Sequence, residues 1–379
     1  MGGAYISENL ASFGNTPFPD PGNEAQMEGL VNGAATDYYG GGNDDDDSGS
    51  ISYLSLRYGG KVIGLNNELN GLSLGGLGRE TEIDHIDIMN NVDDGIEIWG
   101  GCVNLKYFNI WNIGDDSVDV DQGYRGKMQF GLIVQGYSVD AAQGSGVGDN
   151  VFELDGAEQS DYQPVTTSNI YNVTVIGQPV AGDHGTAWRD NARVQFHNSI
   201  FMDLGEQAVR IDNVDGDGGL GYGLNGTLSW ANTWLTDYDS VPAHVNDAPG
   251  GLGGWIGYTA QNSGKLIEFT DTVFYSNLHA SAYTEAIARG VFAAANNNVQ
   301  EPALSPITSI VRGPNVTKGG LTLQPVISLD PRPANSASTS VGTAPNDGFF
   351  TPSQYRGAFS PAPVQSWLCK WTAADAFGF

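Results

Sequence analysis

Short stretches of alternating apolar and polar residues recur along the chain, and each is bounded by Gly, Asn or Asp. The stretch at 118–121, Val-Asp-Val-Asp, would place two aliphatic side chains on one face of an extended strand and two carboxylates on the other. Similar stretches lie at 70–76, 94–101, 150–156, 184–191 and 207–213. This alternation predicts half-buried β-strands, and the clearest helical pattern, at 281–295, is predicted to decorate the side of the fold.

The strand-like stretches return at a nearly constant spacing. Asn70, Asp94 and Asp116 follow one another at intervals of 24 and 22 residues, and Gln207 lies 23 residues after His184. Two intervals of 34 residues between Asp116 and His184 fit one repeat plus an insertion. A second repeated strand occurs at 51–58, 83–90, 105–112, 128–135, 170–177, 196–203, 230–237 and 269–276. Such a period predicts a β-solenoid whose coils rise by about 4.8 Å.

The predicted fold class is all-β: a right-handed parallel β-helix of about eight coils with lateral loop insertions and a C-terminal wrapping tail. Residues 1–50 would form an N-terminal region with an acidic loop, and residues 51–280 would form the β-helix. Residues 281–379 are predicted to form a C-terminal decoration and the tail. If the first coil is open, the tail would either cover the edge of a neighbouring molecule or fold back on its own coils.

Stacking the coils in register turns the repeated polar residues into columns. The predicted equivalent positions are Asn70, Asp94, Asp116, Asn150, His184 and Gln207. Asp93, Asp115, Asp149 and Asp183 would form the column beside them. On the adjoining strands the aliphatic side chains would point inward, and the acidic side chains would point outward. This outward set contains Glu97, Asp119, Asp121 and Glu153.

Carboxylates stacked at about 5 Å repel one another by roughly 1 kcal/mol per pair even in water, so something should compensate. Calcium is the candidate cofactor, because oxygen ligands from adjacent coils suit its loose coordination. The predicted metal ligands are Glu97, Asp119, Asp121 and Glu153, and no organic cofactor is predicted. Raised carboxyl pKa values or a cationic ligand would serve as well. For the Asp column at the turns, the alternative is that the carboxylates cap backbone N–H groups.

Composition limits the partners. The 379 residues contain 16 Lys and Arg against 44 Asp and Glu, which gives a net charge of −28. Such a chain repels nucleic acid and anionic membranes. No apolar run is long enough to span a bilayer, and no signal peptide is visible after Met1. Few lysines and abundant Asn, Asp, Gly and Thr nevertheless favour an extracellular or cell-surface protein. Cys102 and Cys369 would either pair or remain two buried thiols.

Two longer runs carry a family resemblance. The run from 66 to 135 includes NGLSLGGLG and DDGIEIWGG, and the chain ends in YRGAFSP and WTAADAFGF. These runs resemble a group of secreted or surface bacterial β-helix proteins. The resemblance covers most of the chain and implies a β-helical fold outside the cell. Members of that group carry a leader and an opening strand segment before the glycine pair that here follows Met1.

A more distant resemblance concerns chemistry. The motifs VDDG, GDDS, GDHG and VRID occur in the same order as N-T-D, D-D, G-H-G and R-I-K of polygalacturonase-type glycoside hydrolases, which are also β-helices. The final Lys of that series is replaced here by Asp212, which removes a cation for a uronate carboxylate. Pectate-lyase-type chemistry would instead use calcium and an Arg base, for which Arg125 or Arg189 would serve. The catalytic residues implied by the first resemblance are Asp94, Asp115, Asp116, His184 and Arg210.

Two functions from different classes follow. The first is an extracellular non-enzymatic β-helix for surface attachment, glycan contact or head-to-tail assembly into a fibre. Its aromatic surface would come from Trp99, Trp111, Trp188, Trp230, Trp234 and Trp255 if several of them point outward. The alternative is a polysaccharide-degrading enzyme, a glycoside hydrolase or a lyase, that uses an acidic cleft. The partners are then a polysaccharide or a second copy of the chain bound end to end.

Overall fold

The computed structural model describes most of the chain. Its described residues are 1–7, 24–30, 34–64, 67–136, 148–157, 164–179, 184–211, 230–238, 258–277, 294–318, 321–334 and 336–379. Asp183, Asp212, Trp255 and most of the helical pattern predicted at 281–295 lie outside these ranges.

Strands dominate the regular structure. The first twelve are β1 (Ala25–Gln26), β2 (Tyr38–Tyr39), β3 (Ser50–Arg57), β4 (Lys61–Gly64), β5 (Asn67–Leu69), β6 (Leu72–Gly75), β7 (Glu82–Met89), β8 (Ile96–Trp99), β9 (Asn104–Trp111), β10 (Val118–Asp121), β11 (Lys127–Val134) and β12 (Asn150–Leu154). The next twelve are β13 (Asn169–Ile176), β14 (His184–Trp188), β15 (Gln195–His197), β16 (Ile200–Met202), β17 (Arg210–Ile211), β18 (Glu268–Thr270), β19 (Val273–Tyr275), β20 (Val299–Gln300), β21 (Ile307–Arg312), β22 (Val316–Lys318), β23 (Leu321–Leu323) and β24 (Val326–Pro333). The described helices are short: α1 (Trp230–Thr233), α2 (Ser336–Thr339), α3 (Ala373–Phe377) and the 3₁₀ turns Ala35–Asp37 and Ala294–Asn296.

Two parallel sheets form the body of the molecule. The six-stranded sheet has the order β17-β14-β12-β10-β8-β6, and the ten-stranded sheet has the path β20-β19-β16-β13-β11-β9-β7-β3 with β15 and β18 beside it. Neighbours in one sheet are separated along the chain by a strand of the other sheet, and they pair in parallel. The chain therefore coils through the two sheets in turn, which confirms the predicted parallel β-helix.

The register confirms the predicted columns. Val118 pairs with Ile96 on one side and with Phe152 on the other, which places Asp116 between Asp94 and Asn150. Further along, Asn150 lies opposite His184. The aliphatic positions are inward and fully buried, as expected: Ile96, Ile98, Val118, Val120, Phe152 and Leu154. Burial of these side chains on every coil is the main apolar contribution to stability.

One predicted strand copy is wrong. Residues 230–237 were aligned with the second repeated strand, but Trp230–Thr233 is the helix α1. Trp230 and Trp234 are four residues apart, the spacing that places two side chains on one side of a helix. Their rings lie 5.3 Å apart, and both approach Trp188, with ring centroids 6.1 Å away. Packing of these large rings against the end of the β-helix core therefore overrides the strand-like pattern.

A column of left-handed residues interrupts the strands of the ten-stranded sheet. The φ angles are positive at Tyr53, His85, Tyr107, Phe130, Asn172, Asn198 and Asp271. Asn and Asp tolerate this conformation, whereas aromatic residues adopt it at a cost. The four aromatic members compensate by stacking: consecutive ring centroids are 4.2, 4.6 and 5.1 Å apart. The column produces one bend at the same place on every coil.

The C-terminal tail lies on this chain's own coils. The ring of Trp367 contacts Tyr107 edge to face, with centroids 5.6 Å apart. The backbone N–H of Ala373 donates to Asp87 Oδ2 at 2.9 Å, and Ser353 Oγ donates to Asn172 Oδ1 at 2.7 Å. A second apolar cluster, between the ten-stranded sheet and residues 307–379, includes Leu132, Ile200, Ile307 and Phe359. The predicted wrapping tail is therefore confirmed, and it folds back on its own coils.

The acidic loop at 40–50 is tied to the β-helix through one buried ion pair. Arg125 is fully buried, and its guanidinium donates to both carboxylate oxygens of Asp44 at 2.6 and 2.8 Å. The backbone N–H of Tyr258 donates to the same carboxylate at 2.8 Å. The hydrogen bonds and charge of Arg125 outweigh burial and hold the pKa of Asp44 below its usual value. Arg125 therefore joins three segments of the chain.

Candidate functional site

The carboxylates at the turns before β8 and β10 bond to the next coil. Asp94 Oδ1 accepts a hydrogen bond from the backbone N–H of Asp116 at 2.9 Å, and Asp116 Oδ1 accepts one from the N–H of Asn150. Both side chains are buried, and burial, followed by the neighbouring carboxylates, raises their pKa values well above the ordinary value. The two acids thus cap successive turns, a role that the sequence predicted for the adjacent column of Asp93, Asp115 and Asp149 and not for these two residues.

A second row of acids stands beside these caps. Carboxylate oxygens of Asp93, Asp94 and Asp115 lie within 4.8 Å of one another, and so do those of Asp115, Asp116 and Asp149. The structure therefore brings together Asp94, Asp115 and Asp116, three of the five residues implied by the hydrolase resemblance. Asp115 belongs to both groups and is partly exposed, so this row is open to small cations.

His184 and Arg210 lie further along the same sheet. His184 is separated from Asp116 by Asn150, and its Nε2 atom lies 3.0 Å from Glu206 Oε2. Burial and, to a lesser degree, the charge of Arg210 lower the pKa of His184 to about 4. The imidazole is therefore neutral at neutral pH. Arg210 pairs through its backbone with Ala187, which places it on the coil after His184.

Glu97 and Asp119 form the buried part of the acidic column. They pair across β8 and β10, and their carboxylate oxygens lie within 4.8 Å of each other and of Asp94. The exposed fractions of Glu97 and Asp119 are only 7% and 8%. Burial raises the pKa of Asp119 to about 7, against the lowering effects of Arg189 and of a hydrogen bond with Glu97. Burial, then the charge of Asp119, raises the pKa of Glu97 well above its ordinary value.

The other two predicted metal ligands have different surroundings. Glu153 continues the column after Asp119, but its carboxylate is paired with the guanidinium of Arg189. The same guanidinium lies 2.8 Å from Asp155 Oδ1. Asp121 lies opposite Trp99, and its Oδ1 atom accepts a hydrogen bond from the next backbone N–H. The predicted metal set therefore divides into a buried carboxylate pair, Glu97 and Asp119, and two more accessible residues with other contacts.

Sequence reasoning missed Glu28, which lies beside this pair, and Glu68, which contacts Glu28. Glu28 Oε1 accepts a hydrogen bond from the backbone N–H of Glu68 at 3.1 Å, and Asn70 Nδ2 donates to both Glu28 Oε2 and Glu97 Oε2. Glu68 is 4% exposed, and burial together with a hydrogen bond to Glu28 raises its pKa. Glu28 lies in the N-terminal region, where the sequence has no repeat, so no periodic signal connects it with the sheet.

The described members of the predicted tryptophan set do not form an aromatic surface. Trp188 and Trp234 are fully buried, and the exposed fractions of Trp99 and Trp111 are 6% and 2%. Aromatic rings instead meet in a cavity of about 240 Å³ between the ten-stranded sheet and the tail. Its lining includes Tyr107, Phe130, Tyr355, Phe359, Gln365 and Trp367. No described helix has the length and apolar composition that crossing a bilayer requires.

The fold and these surfaces define an acidic parallel β-helix with a column of carboxylates on its six-stranded sheet. The chain belongs to the pectate-lyase-like β-helix domain family, because the family model described as "Pectate-lyase like beta helix domain" matches residues 13–251, more than half of its length. Comparison with curated proteins and comparison with solved structures give no match.

Proposed function

We propose that this protein is an extracellular, non-enzymatic β-helix that contacts neutral glycans through the cavity beneath its C-terminal tail. The observation that carries the proposal is the aromatic lining of that cavity together with its polar rim. Sugar rings present C–H groups to aromatic faces and hydroxyl groups to polar side chains, and ligand sites combine these two features.

The contacts within the cavity support a preformed site. Tyr107 stacks on Phe130 with ring centroids 5.1 Å apart, and Phe359 stacks on Trp367 at the same distance. The indole N–H of Trp367 donates to Ala358 O at 2.9 Å, which fixes the orientation of the ring. Because these rings are held by one another, a glycan would not have to order them on binding.

Charge supports a neutral ligand. The lining of the cavity contains no Asp, Glu, Lys or Arg, and the chain as a whole carries a net charge of −28. A polyuronate would be repelled at long range and would find no cation in the cavity. A neutral hexose polymer meets neither obstacle.

The acids implied by the hydrolase resemblance have structural partners, which supports a non-enzymatic role. Asp94 and Asp116 each accept a backbone N–H of the following coil, so a proton transfer at either one would disturb a turn of the β-helix. Asp119 has a pKa of about 7, which suits an acid catalyst, but its side chain is buried.

The test is binding of purified protein to immobilised neutral and acidic polysaccharides, with Trp fluorescence as a second readout. We expect retention by a neutral polymer and none by polygalacturonate. Gln365→Ala, which alters an exposed residue at the rim, should weaken retention several-fold, whereas Gln354→Ala, on the same tail but outside the cavity, should not. Equal binding by both variants would refute the cavity as the site, and release of reducing or unsaturated ends would support the enzyme instead.

Head-to-tail assembly is a second candidate, and the outer edge of β3 favours it. Among the described strands, β3 ends the ten-stranded sheet and pairs only with β7. Arg57 on this first coil and Glu301 after β20 occupy the same column, so stacking two copies would bring opposite charges together. An unpaired edge of this length is a template for pairing. Sedimentation should then show oligomers of several copies. Arg57→Glu should reduce the size of these oligomers, whereas Lys61→Glu should not. A protein that stays monomeric at high concentration would exclude this assembly.

A further inference from the structure

We propose that a calcium ion binds between the N-terminal segment and the six-stranded sheet, with carboxylates of Glu28, Glu97, Asp119 and Asp94 as its ligands. In this arrangement the ion holds residues 24–30 against the β-helix. The proposed site is separate from the glycan cavity, which lies on the other sheet.

The first support is the convergence of acids from different parts of the chain. Asp94, Glu97 and Asp119 come from two adjacent coils, and one carboxylate oxygen of each lies within 4.8 Å of the others. Glu28 comes from the N-terminal segment and lies beside Glu97, since Asn70 Nδ2 donates to a carboxylate oxygen of each. Carboxylates this close together repel one another strongly unless protons or a cation intervene.

The second support is independent of the clustering. Asp119 Oδ1 and Glu68 Oε1 are buried carboxylate oxygens that have no hydrogen-bond partner in the described part of the chain. Their residues are 8% and 4% exposed. A buried oxygen without a partner lowers the stability of the fold, more so when it is charged, so such an atom needs a proton, a water molecule or an ion. Asp119 belongs to the group of three acids, where a cation would satisfy its unpartnered oxygen.

The donor set favours calcium over other metals. Every candidate ligand is a carboxylate oxygen, and the described neighbourhood of the group offers no Cys or His to it. Oxygen ligands select Ca²⁺, Mg²⁺ or Mn²⁺, whereas zinc prefers nitrogen and sulfur. Ligands from two coils and a separate segment fit the larger, irregular coordination sphere of calcium better than the strict octahedron of magnesium.

The packing around Glu28 indicates what the ion would do. Met27, its neighbour in sequence, belongs to a small apolar cluster with Ile6, Ala25, Tyr39 and Trp99. This cluster covers the outer face of β6 and β8 but is far smaller than the main core. Hydrogen bonds also join residues 24–30 to residues 67–70: Gly29 N–H donates to Asn67 Oδ1 at 2.6 Å, and Glu68 N–H donates to Glu28 Oε1 at 3.1 Å. A cation shared by Glu28 and the sheet would add a further attachment, directly to β8 and β10.

The experiment is calcium titration of the calcium-stripped protein by calorimetry, combined with amide hydrogen exchange of β1 and β2. We expect one buried site, slower exchange of these amides when calcium is added, and affinity lowered about tenfold or more in Asp119→Asn and in Glu28→Gln. Glu82→Gln, an exposed acid on the other sheet, is the matched control and should bind calcium as the wild type does.

Two outcomes would overturn the proposal. One is calcium affinity that is unchanged in Asp119→Asn, which would place any bound ion elsewhere, for example on the neighbouring row of Asp93, Asp115 and Asp149. The other is affinity and amide exchange that are unchanged in Glu28→Gln, which would remove the N-terminal segment from the site. Folding does not confuse the result, because Asp119→Asn removes a buried charge and is expected to unfold no more easily than the wild type in chelator.

Discussion

Asp94 Oδ1 lies 2.9 Å from the backbone nitrogen of Asp116, one coil further along the β-helix. The two residues are equivalent positions of the repeat, so one hydrogen-bond pattern, carboxylate to backbone of the next coil, is used twice in succession. The carboxylate at this position therefore contributes to the regular stacking of the coils, whatever chemistry the surface performs.

This relationship predicts different effects for two substitutions of Asp116. Asp116→Asn keeps an oxygen that can accept the N–H of Asn150 and removes a buried charge, so the free energy of unfolding should stay equal or rise. Asp116→Ala leaves that N–H without its acceptor and should cost about 1–3 kcal/mol. Urea unfolding of both variants measures the difference. If Asn is as harmful as Ala, the position needs the charge rather than the hydrogen bond.

The pH dependence of stability provides a test of the buried pair. The pKa of Asp119 in the folded protein is about 7, against 3.8 as its ordinary value, so the folded state holds this proton more tightly than the unfolded state. The resulting stabilisation is present at pH below 3.8 and is lost as the pH rises through about 7. The groups that influence Asp119 are Arg189, Glu97, Glu28 and Asp115.

The measurement compares wild type and Asp119→Asn in chelator between pH 5 and pH 8. Stability of the wild type should fall relative to the variant as the pH rises, by at most about 1.4 kcal/mol per pH unit. His184 and His197, whose pKa values are lowered, oppose this trend in both proteins and cancel in the difference. A difference that is independent of pH would mean that Asp119 is ionised throughout this range.

The repeat was predictable because it follows from local rules. Strand alternation fixes which residues face inward, and the equal spacing of Asp94 and its equivalents fixes the register, so the columns could be aligned without a structure. Asn198 has the left-handed conformation that Asn tolerates, but no pattern in the sequence predicted the bend column to which it belongs.

The contacts of Asp44 and Glu28 could not be predicted in the same way. Asp44 pairs with Arg125, and Glu28 pairs with Glu68, both far away in the sequence. Neither Asp44 nor Glu28 lies within the repeat. A run of four acids between glycines has the composition of a solvated loop. Only the folded path of the chain brings a buried guanidinium to the first of these acids, Asp44.

The two cysteines should differ in reactivity. Both are free, Cys102 is buried, and Cys369 is partly exposed. Burial raises the pKa of the Cys102 thiol to about 12, which keeps the reactive thiolate scarce at neutral pH. A thiol reagent should therefore modify Cys369 quickly in the native protein and Cys102 only after unfolding. Rapid loss of both thiols without denaturant would contradict the buried position of Cys102, and Cys369→Ser is the control that isolates it.

The ion pair of Arg125 and Asp44 should be the most sensitive contact outside the apolar core. Arg125→Met removes one charge and leaves the carboxylate of Asp44, whose side chain is 11% exposed, without its main partner. Breaking a buried pair in this way costs about 3–5 kcal/mol. The exposed pair of Arg79 and Asp45 is the matched control, with side chains 42% and 57% exposed, and Arg79→Met should cost less than about 1 kcal/mol.

Replacing both partners, as Arg125→Met with Asp44→Asn, should restore part of the lost stability, because no unpaired charge then remains buried. If the double variant is as unstable as the sum of the two single variants, the pair acts only through its separate hydrogen bonds to the three segments it joins.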